Sequence, residues 1–335
     1  MLQSFHRTFG QGVLAVALAM AASNFVAAAE NAPADWTSEW PKTDFSKNTI
    51  SFDEVLSGGV PKDGIPALYR VEMLPAAEVS GLDPAEPVVT VKIGEAPARA
   101  YPIRYLTWHE IVNDDQAPIP IAVTFCPLCN SALVFDRRVD GQVLSFGVSG
   151  KLRHSDMVMY DRQTQSWWQQ FTGEAIVGEL TGAKLDLVVS WMESWEGFKN
   201  RESAGLVMQE PTGHARPYGN NPYVGYDSSG WPFLYQGEKP PHDIEPLARV
   251  IRVGDRAWPL DRLAKAGAPI VEDGLEIRWQ KGMTSALDGQ RIGHSRDVGQ
   301  IRVKNVATGS DVPHEVVFAF AFHAFTPNGK WMLGR

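Results

Sequence analysis

The chain carries only two cysteines, Cys126 and Cys129, among 335 residues. A scaffold stapled by several disulfides is therefore excluded, and the fold must be held by a core. Basic residues are also few: 31 Lys and Arg stand against 39 Asp and Glu, for a net charge of −8. No basic cluster is visible, which argues against a nucleic-acid or anionic-membrane partner. The spacings of a serine nucleophile elbow, a phosphate-binding loop and a zinc-protease HExxH are absent. Long apolar runs are missing beyond the N-terminus. What remains is an ordinary globular composition, 44% hydrophobic and 21% charged, enough to build a real core.

The N-terminus has the form of a secretory signal. His6 and Arg7 precede an apolar run from Val13 to Ala28, broken only by Ser23 and Asn24, and Ala27-Ala28-Ala29 forms a small-residue cleavage site. The run is shorter than the roughly 20 apolar residues of a spanning helix. The expectation is cleavage after Ala29 and a periplasmic or secreted protein with no integral membrane segment. In that oxidising compartment two neighbouring thiols form a disulfide, hold a metal, or are kept reduced by a partner.

The rest of the chain reads as mainly β, a β-rich α+β fold of hairpins with a few short helices. Residues 30–50 are polar, hold Trp36 and Trp40, and are expected to wrap over the surface. Val88 to Gly94 alternates as a strand entering a turn, and Arg104 to Val112 suits a short helix closed by Asn113-Asp114-Asp115. Pro120 to Phe125 is continuous and β-branched, the signature of a buried strand. Asp140-Gly141 marks a hairpin turn. Met157 to Asp161 and Gln169 to Thr172 read as two strands joined through Trp167-Trp168, and Ser190 to Asn200 reads as a helix with an aromatic face.

Two halves are expected. Residues 51–208 carry the cysteines, residues 209–247 form a loop dense in Pro, Gly and Tyr, and residues 248–335 form a degenerate second copy. Arg99-Ala100-Tyr101-Pro102-Ile103 recurs as Arg256-Ala257-Trp258-Pro259-Leu260, and Ser131-Ala132-Leu133 as Ser285-Ala286-Leu287. In that register Cys126 and Cys129 fall opposite Gln280 and Met283.

Cys126-Pro127-Leu128-Cys129 carries the chemistry and admits three readings. In a redox pair the CxxC usually opens a helix that lowers the first thiol's pKa. Here the residues after Cys129 alternate, so strand, turn, strand is the expected setting. That setting also suits a metal knuckle, with further ligands supplied by His, Met or carboxylate. His154, Met157 and Met159 follow in sequence, and a set of Cys126, Cys129, His154 and a methionine suits copper(I) better than zinc. A structural disulfide closing so short a loop gains only roughly 2 kcal/mol. Thiol–disulfide exchange leads: Cys126 attacks, Cys129 resolves, and His109 or Arg153 stabilises the thiolate, with no cofactor required. Copper or zinc binding is the alternative. A third possibility is a non-catalytic module whose ligand occupies the Tyr218 to Asp227 loop. The partner would be an exported protein or a small molecule.

The run Val123 to Cys129, then Ser131 to Arg137, Phe146 to Gly150, Ser155-Asp156 and Met159-Tyr160-Asp161-Arg162 resembles the exported bacterial family catalogued as Domain of Unknown Function 3179. Ala100-Tyr101-Pro102, Trp108-His109-Glu110, Pro222-Tyr223 and Gly225-Tyr226 fit the same pattern, and the resemblance spans about residues 50 to 330. It adds Asp156 and Tyr160 as supporting site candidates and brings no established activity. The chain departs at Asn130, where the family usually has Gly, and at His154, where it commonly has Asn.

Overall fold

The computed structural model describes Met1 and residues 32–334; the expected signal and its cleavage site lie outside the described residues. The body from residue 32 onward is mainly β, built from several small sheets with short helices between them. Among the described residues no helix is long and apolar enough to cross a membrane.

One order of elements occurs twice. Strand Pro87–Val91 pairs antiparallel with Arg99–Pro102, and the chain turns at Pro102 into the helix Ile103–His109. A meander of Ile111–Asp114, Ile121–Cys126 and Ser131–Asp136 follows. Much later Ser190–Ser194 returns antiparallel to the first strand and runs into the helix Trp195–Arg201. Leu206–Met208 then lies parallel to Arg99–Pro102. The second series matches: Arg249–Val253 pairs with Arg256–Pro259, helix Leu260–Ala266 follows, and Ile270–Glu272, Leu275–Gln280 and Gln300–Asn305 form the meander. Glu315–Phe318, helix Ala319–Phe325 and Lys330–Trp331 close it in the same directions. In both series proline ends a strand and opens a helix, because its fixed φ suits the first helical turn and it needs no donor there.

The two series differ where the cysteines sit. Cys126 pairs directly with Ser131, whereas Gln280 pairs with Gln300. Ser131 to Leu133 therefore lie in a strand, while Ser285 to Leu287 lie in the long connection between two strands. Between its meander and its return strand the first series also holds most of an antiparallel sheet: Phe146–Arg153, Asp156–Asp161, Trp167–Gln169 and Glu174–Val177, extended at its edge by Val55–Ser57.

Three local expectations need correction. Ser190–Ser194 is a strand, and the helix starts only at Trp195; Trp191 and Glu193 alternate on one buried face, so pairing with Pro87–Val91 wins over helical spacing. Asn113 and Asp114 extend a strand, because Arg99 and Tyr101 bond the Asp114 carboxylate and make its burial tolerable. Trp167 and Trp168 belong to a strand, not to a connection.

The N-terminal segment packs two tryptophans against the sheet. Trp36 and Trp40 are buried against Trp167, Phe45, Phe52 and Tyr160 in edge-on or tilted contacts. The largest apolar cluster joins both series: Phe125, Cys126 and Cys129 share it with Ala286, Leu287, Phe318 and Phe320.

Candidate functional site

The cysteine turn is shaped by four local choices. Strand Ile121–Cys126 is buried along its whole length, which explains its unbroken apolar sequence. Pro127 opens a single 3-10 turn, Pro127–Cys129. Asn130 follows in the left-handed conformation (φ 52°), which Asn adopts at less cost than most residues, so the turn needs no Gly here. Ser131 then pairs back to Cys126. Asn130 Nδ2 donates to the Val316 carbonyl at 2.7 Å, and Ser131 Oγ to Glu315 Oε2 at 2.7 Å, which ties the turn to the second series.

A second hairpin meets this turn. Arg153 pairs with Asp156, and His154 and Ser155 between them both have positive φ, 49° and 64°, the geometry of a type I′ turn. His154 thus stands in a left-handed position, which Asn adopts more readily than most residues. The hairpin brings the Ser155 carbonyl to 3.6 Å from Cys129 Sγ and 4.0 Å from Cys126 Sγ. Asp156 comes with it. A sulfur from each cysteine and a carboxylate oxygen of Asp156 lie within 4.8 Å of one another, and all three residues are buried.

Electrostatics at this point are one-sided. Asp156 Oδ2 accepts hydrogen bonds from Gln169 Nε2 (2.7 Å) and the Phe171 amide (2.9 Å), while Oδ1 is buried without a conventional donor. Burial lifts the Asp156 carboxyl to about 6. Burial and the nearby Asp156 lift Glu110 to about 8, against a hydrogen bond with Tyr223 that pulls it down. Burial is likewise the main cause raising both thiols, with Asp156 pushing the same way; Cys129 stands well above its ordinary range. Three groups that become negative on losing a proton, Cys126, Cys129 and Asp156, thus lie together, and the Glu110 carboxyl acts on Cys126 and Asp156 through its charge. The arrangement opposes a free thiolate.

The other expected site residues are engaged elsewhere. His109 donates from Nδ1 to the Pro66 carbonyl (2.7 Å), and its Nε2 meets the Tyr218 hydroxyl at 2.6 Å. Burial holds its pKa down to about 4, so the ring is neutral and anchors the long loop. Arg153 and His154 both pair with Glu54, at 2.7 and 3.2 Å, and both pack on Phe325. The Tyr160 hydroxyl donates to Asp63 at 2.6 Å within the Trp40 cluster. Of the candidates, only Asp156 joins the two cysteines.

Sequence reasoning missed Glu110 as a member of this site. It follows the helix Ile103–His109 in a left-handed conformation (φ 59°), and no sequence pattern announces that a carboxyl there turns inward. Tyr223 and Tyr226 were visible as part of the resemblance, but not their destination. The 209–247 loop folds over the cysteine turn: Tyr226 Oη donates to the Leu128 carbonyl (3.0 Å) and accepts from the Phe233 amide (3.3 Å). Between loop and turn lies a cavity of about 530 Å³, walled by Glu110, Leu128, Met157, Tyr223, Tyr226 and Phe233 among others.

The chain matches no curated protein and no solved structure. The family described as Protein of unknown function (DUF3179) matches residues 62–329, which takes in both series of elements, the cysteine turn and the loop over it. The chain belongs to that family.

Proposed function

We propose that Cys126, Cys129 and Asp156 form a metal site, with zinc the favoured ion. The observation that carries this reading is the buried Asp156 Oδ1, which meets no nitrogen or oxygen donor and lies with two free, buried thiols. A divalent cation would compensate the thiolates and the carboxylate at once and give the orphaned oxygen a partner. Two thiolates with a carboxylate oxygen form a borderline donor set that zinc takes, whereas a carboxylate is a poor ligand for copper(I). Three protein ligands leave one tetrahedral position, the pattern of zinc sites that bind water or substrate. His154 is replaced by Asp156 as third ligand, since its ring pairs with Glu54. The N-terminal signal pattern supports export, so the site would work in the periplasm or outside the cell.

A second reading, thiol–disulfide exchange, is favoured by the hydrogen bond between the two sulfurs. Against it stand the exposures of Cys126 and Cys129, 1% and 0%, and the acids that oppose thiolate formation. Cobalt(II) titration of the full chain separates the two. The expected result is a sulfur-to-metal charge-transfer band that vanishes in Cys126→Ser and Cys129→Ser and weakens in Asp156→Asn. Absence of the band in reduced wild-type protein would overturn the metal reading.

A further inference from the structure

The second series uses its counterpart of the cysteine corner differently. Gln280 and Gln300 pair at the strand ends where the first series has Cys126 and Ser131, and both line a separate cleft of about 440 Å³. Both series build this cleft: Trp191, Glu193 and Asn200 belong to the first, Arg278 and Arg302 to the second. Among the described residues that line it, Ile301 is the one aliphatic side chain, and it is buried. Charge on the wall is already matched. Arg201 holds the Glu193 carboxylate through two N–H groups, and Arg302 holds Asp311 through two more while lying 3.6 Å over the ring of the buried Trp191. Arg278 meets Glu276 at 3.1 Å. Amide groups are left over. Gln300 Oε1 accepts from the Ser194 amide at 2.8 Å, which leaves its Nε2 without a partner among the described residues. The exposed side chains of Asn200 and Gln280 are likewise unpartnered there.

We infer that this cleft binds an uncharged polyhydroxylated molecule, a saccharide, through Asn200, Gln280 and the free amide nitrogen of Gln300. The inference is independent of the proposed metal site, with which the cleft shares no lining residue. The chemistry of the wall selects the class. A side-chain amide both donates and accepts, as a sugar hydroxyl does, so three neighbouring amides match a ring that carries several hydroxyls. An apolar body would find no apolar wall to cover it and would leave the amides unpaired. An anion would meet Glu193, Glu276 and Asp311 along with their arginines and gain no net field. A cation would find Glu193 held by Arg201, Thr90 and Trp191. Arg278, whose side chain is 58% exposed and joined to its acid by one bond, keeps N–H groups free for a hydroxyl oxygen. Arg201 and Arg302 are fixed by their acids and by Trp191, so the wall needs little ordering when a ligand arrives. The volume falls within the range of cavities that enclose small molecules, roughly 300–1,000 Å³.

Calorimetric titration of the full chain with glucose, galactose, mannose, N-acetylglucosamine, maltose and cellobiose tests the class, with glucuronate and glucosamine as charged counterparts. At least one of the neutral sugars is expected to bind with a Kd below about 1 mM, and about tenfold tighter than either charged sugar. Asn200→Ala and Gln280→Ala, both at exposed positions, should each weaken that binding about three- to tenfold and leave thermal unfolding unchanged. Chelator treatment should leave it intact. Failure of all six neutral sugars to bind overturns the inference, and tighter binding of glucuronate or glucosamine overturns the class. Binding that is unchanged when both alanines are combined, or that is lost with the metal, overturns the location.

Discussion

Asn130 Nδ2 donates to the Val316 carbonyl at 2.7 Å, so the residue that reverses the chain after Cys129 also fastens it to the second series. Its two roles are separable. Asn130→Gly keeps the left-handed turn and loses the bond, at an expected cost of about 1 kcal/mol. Asn130→Ala adds backbone strain and should cost about 2–3 kcal/mol. Urea unfolding of the three proteins measures the difference; equal stability of the two variants would show that the turn carries no left-handed demand.

The N-terminal segment contributes through its aromatic plug. Trp40 is 1% exposed and meets Trp167 and Tyr160 edge-on, with centroids 5.4 and 4.8 Å away. Trp40→Ala is expected to lose about 3–5 kcal/mol of stability. Thermal unfolding read by near-ultraviolet circular dichroism checks it. A change below about 1 kcal/mol would mean that the segment docks without supporting the sheet beneath it.

Glu110 gives a pH signature in metal-free protein. Its carboxyl titrates near 8 when folded and near 4.5 when ordinary, so its contribution to stability is whole below about pH 4.5 and is lost as pH rises through 8. Glu110→Gln removes the cost of ionising a buried acid and keeps a polar partner for Tyr223. The variant should equal the wild type near pH 4.5 and exceed it by a few kcal/mol at pH 8. Parallel stability curves across that range would place Glu110 in water.

Much of the fold was legible for definite reasons. The unbroken apolar run before Cys126 reads as a buried strand because both its faces are covered, and Asp140-Gly141 reads as a turn because both residues take positive φ, 48° and 79°. Arg99 to Ile103 and Arg256 to Leu260 each hold a strand-to-helix junction with proline as the residue before the helix. The Ser-Ala-Leu match does not mark equivalent strands: Ser285 leaves the sheet and bonds Asp227, which Arg249 and Arg296 neutralise. Trp191 misled because aromatic residues three and four apart fit a helix face, although pairing with Thr90 decides its conformation.

The site was only half legible. The CxxC spacing identified the turn, yet its partner Asp156 arrives from a different sheet through a hairpin whose only local sign is a pair of residues in the left-handed region. His109 and Arg153 were attractive as thiolate partners by charge, and His154 as a soft-metal ligand by its place after the cysteines. Each has a nearer partner in Pro66, Tyr218 or Glu54, and no sequence spacing encodes those contacts.

Asp156→Asn probes the third ligand. The amide retains the shape and removes the charge, so zinc affinity should fall by at least about 100-fold while the fold persists. Competition with a chromophoric chelator measures it. Unchanged affinity would leave the cysteines to bind metal with some other partner.

The most direct measurement is metal analysis with thiol titration on the full chain, purified without chelator. The account predicts about one zinc per chain and two thiols that react only after the metal is stripped. A metal-free protein whose Cys126 and Cys129 are joined in a disulfide, and which takes up no zinc after reduction, would contradict it.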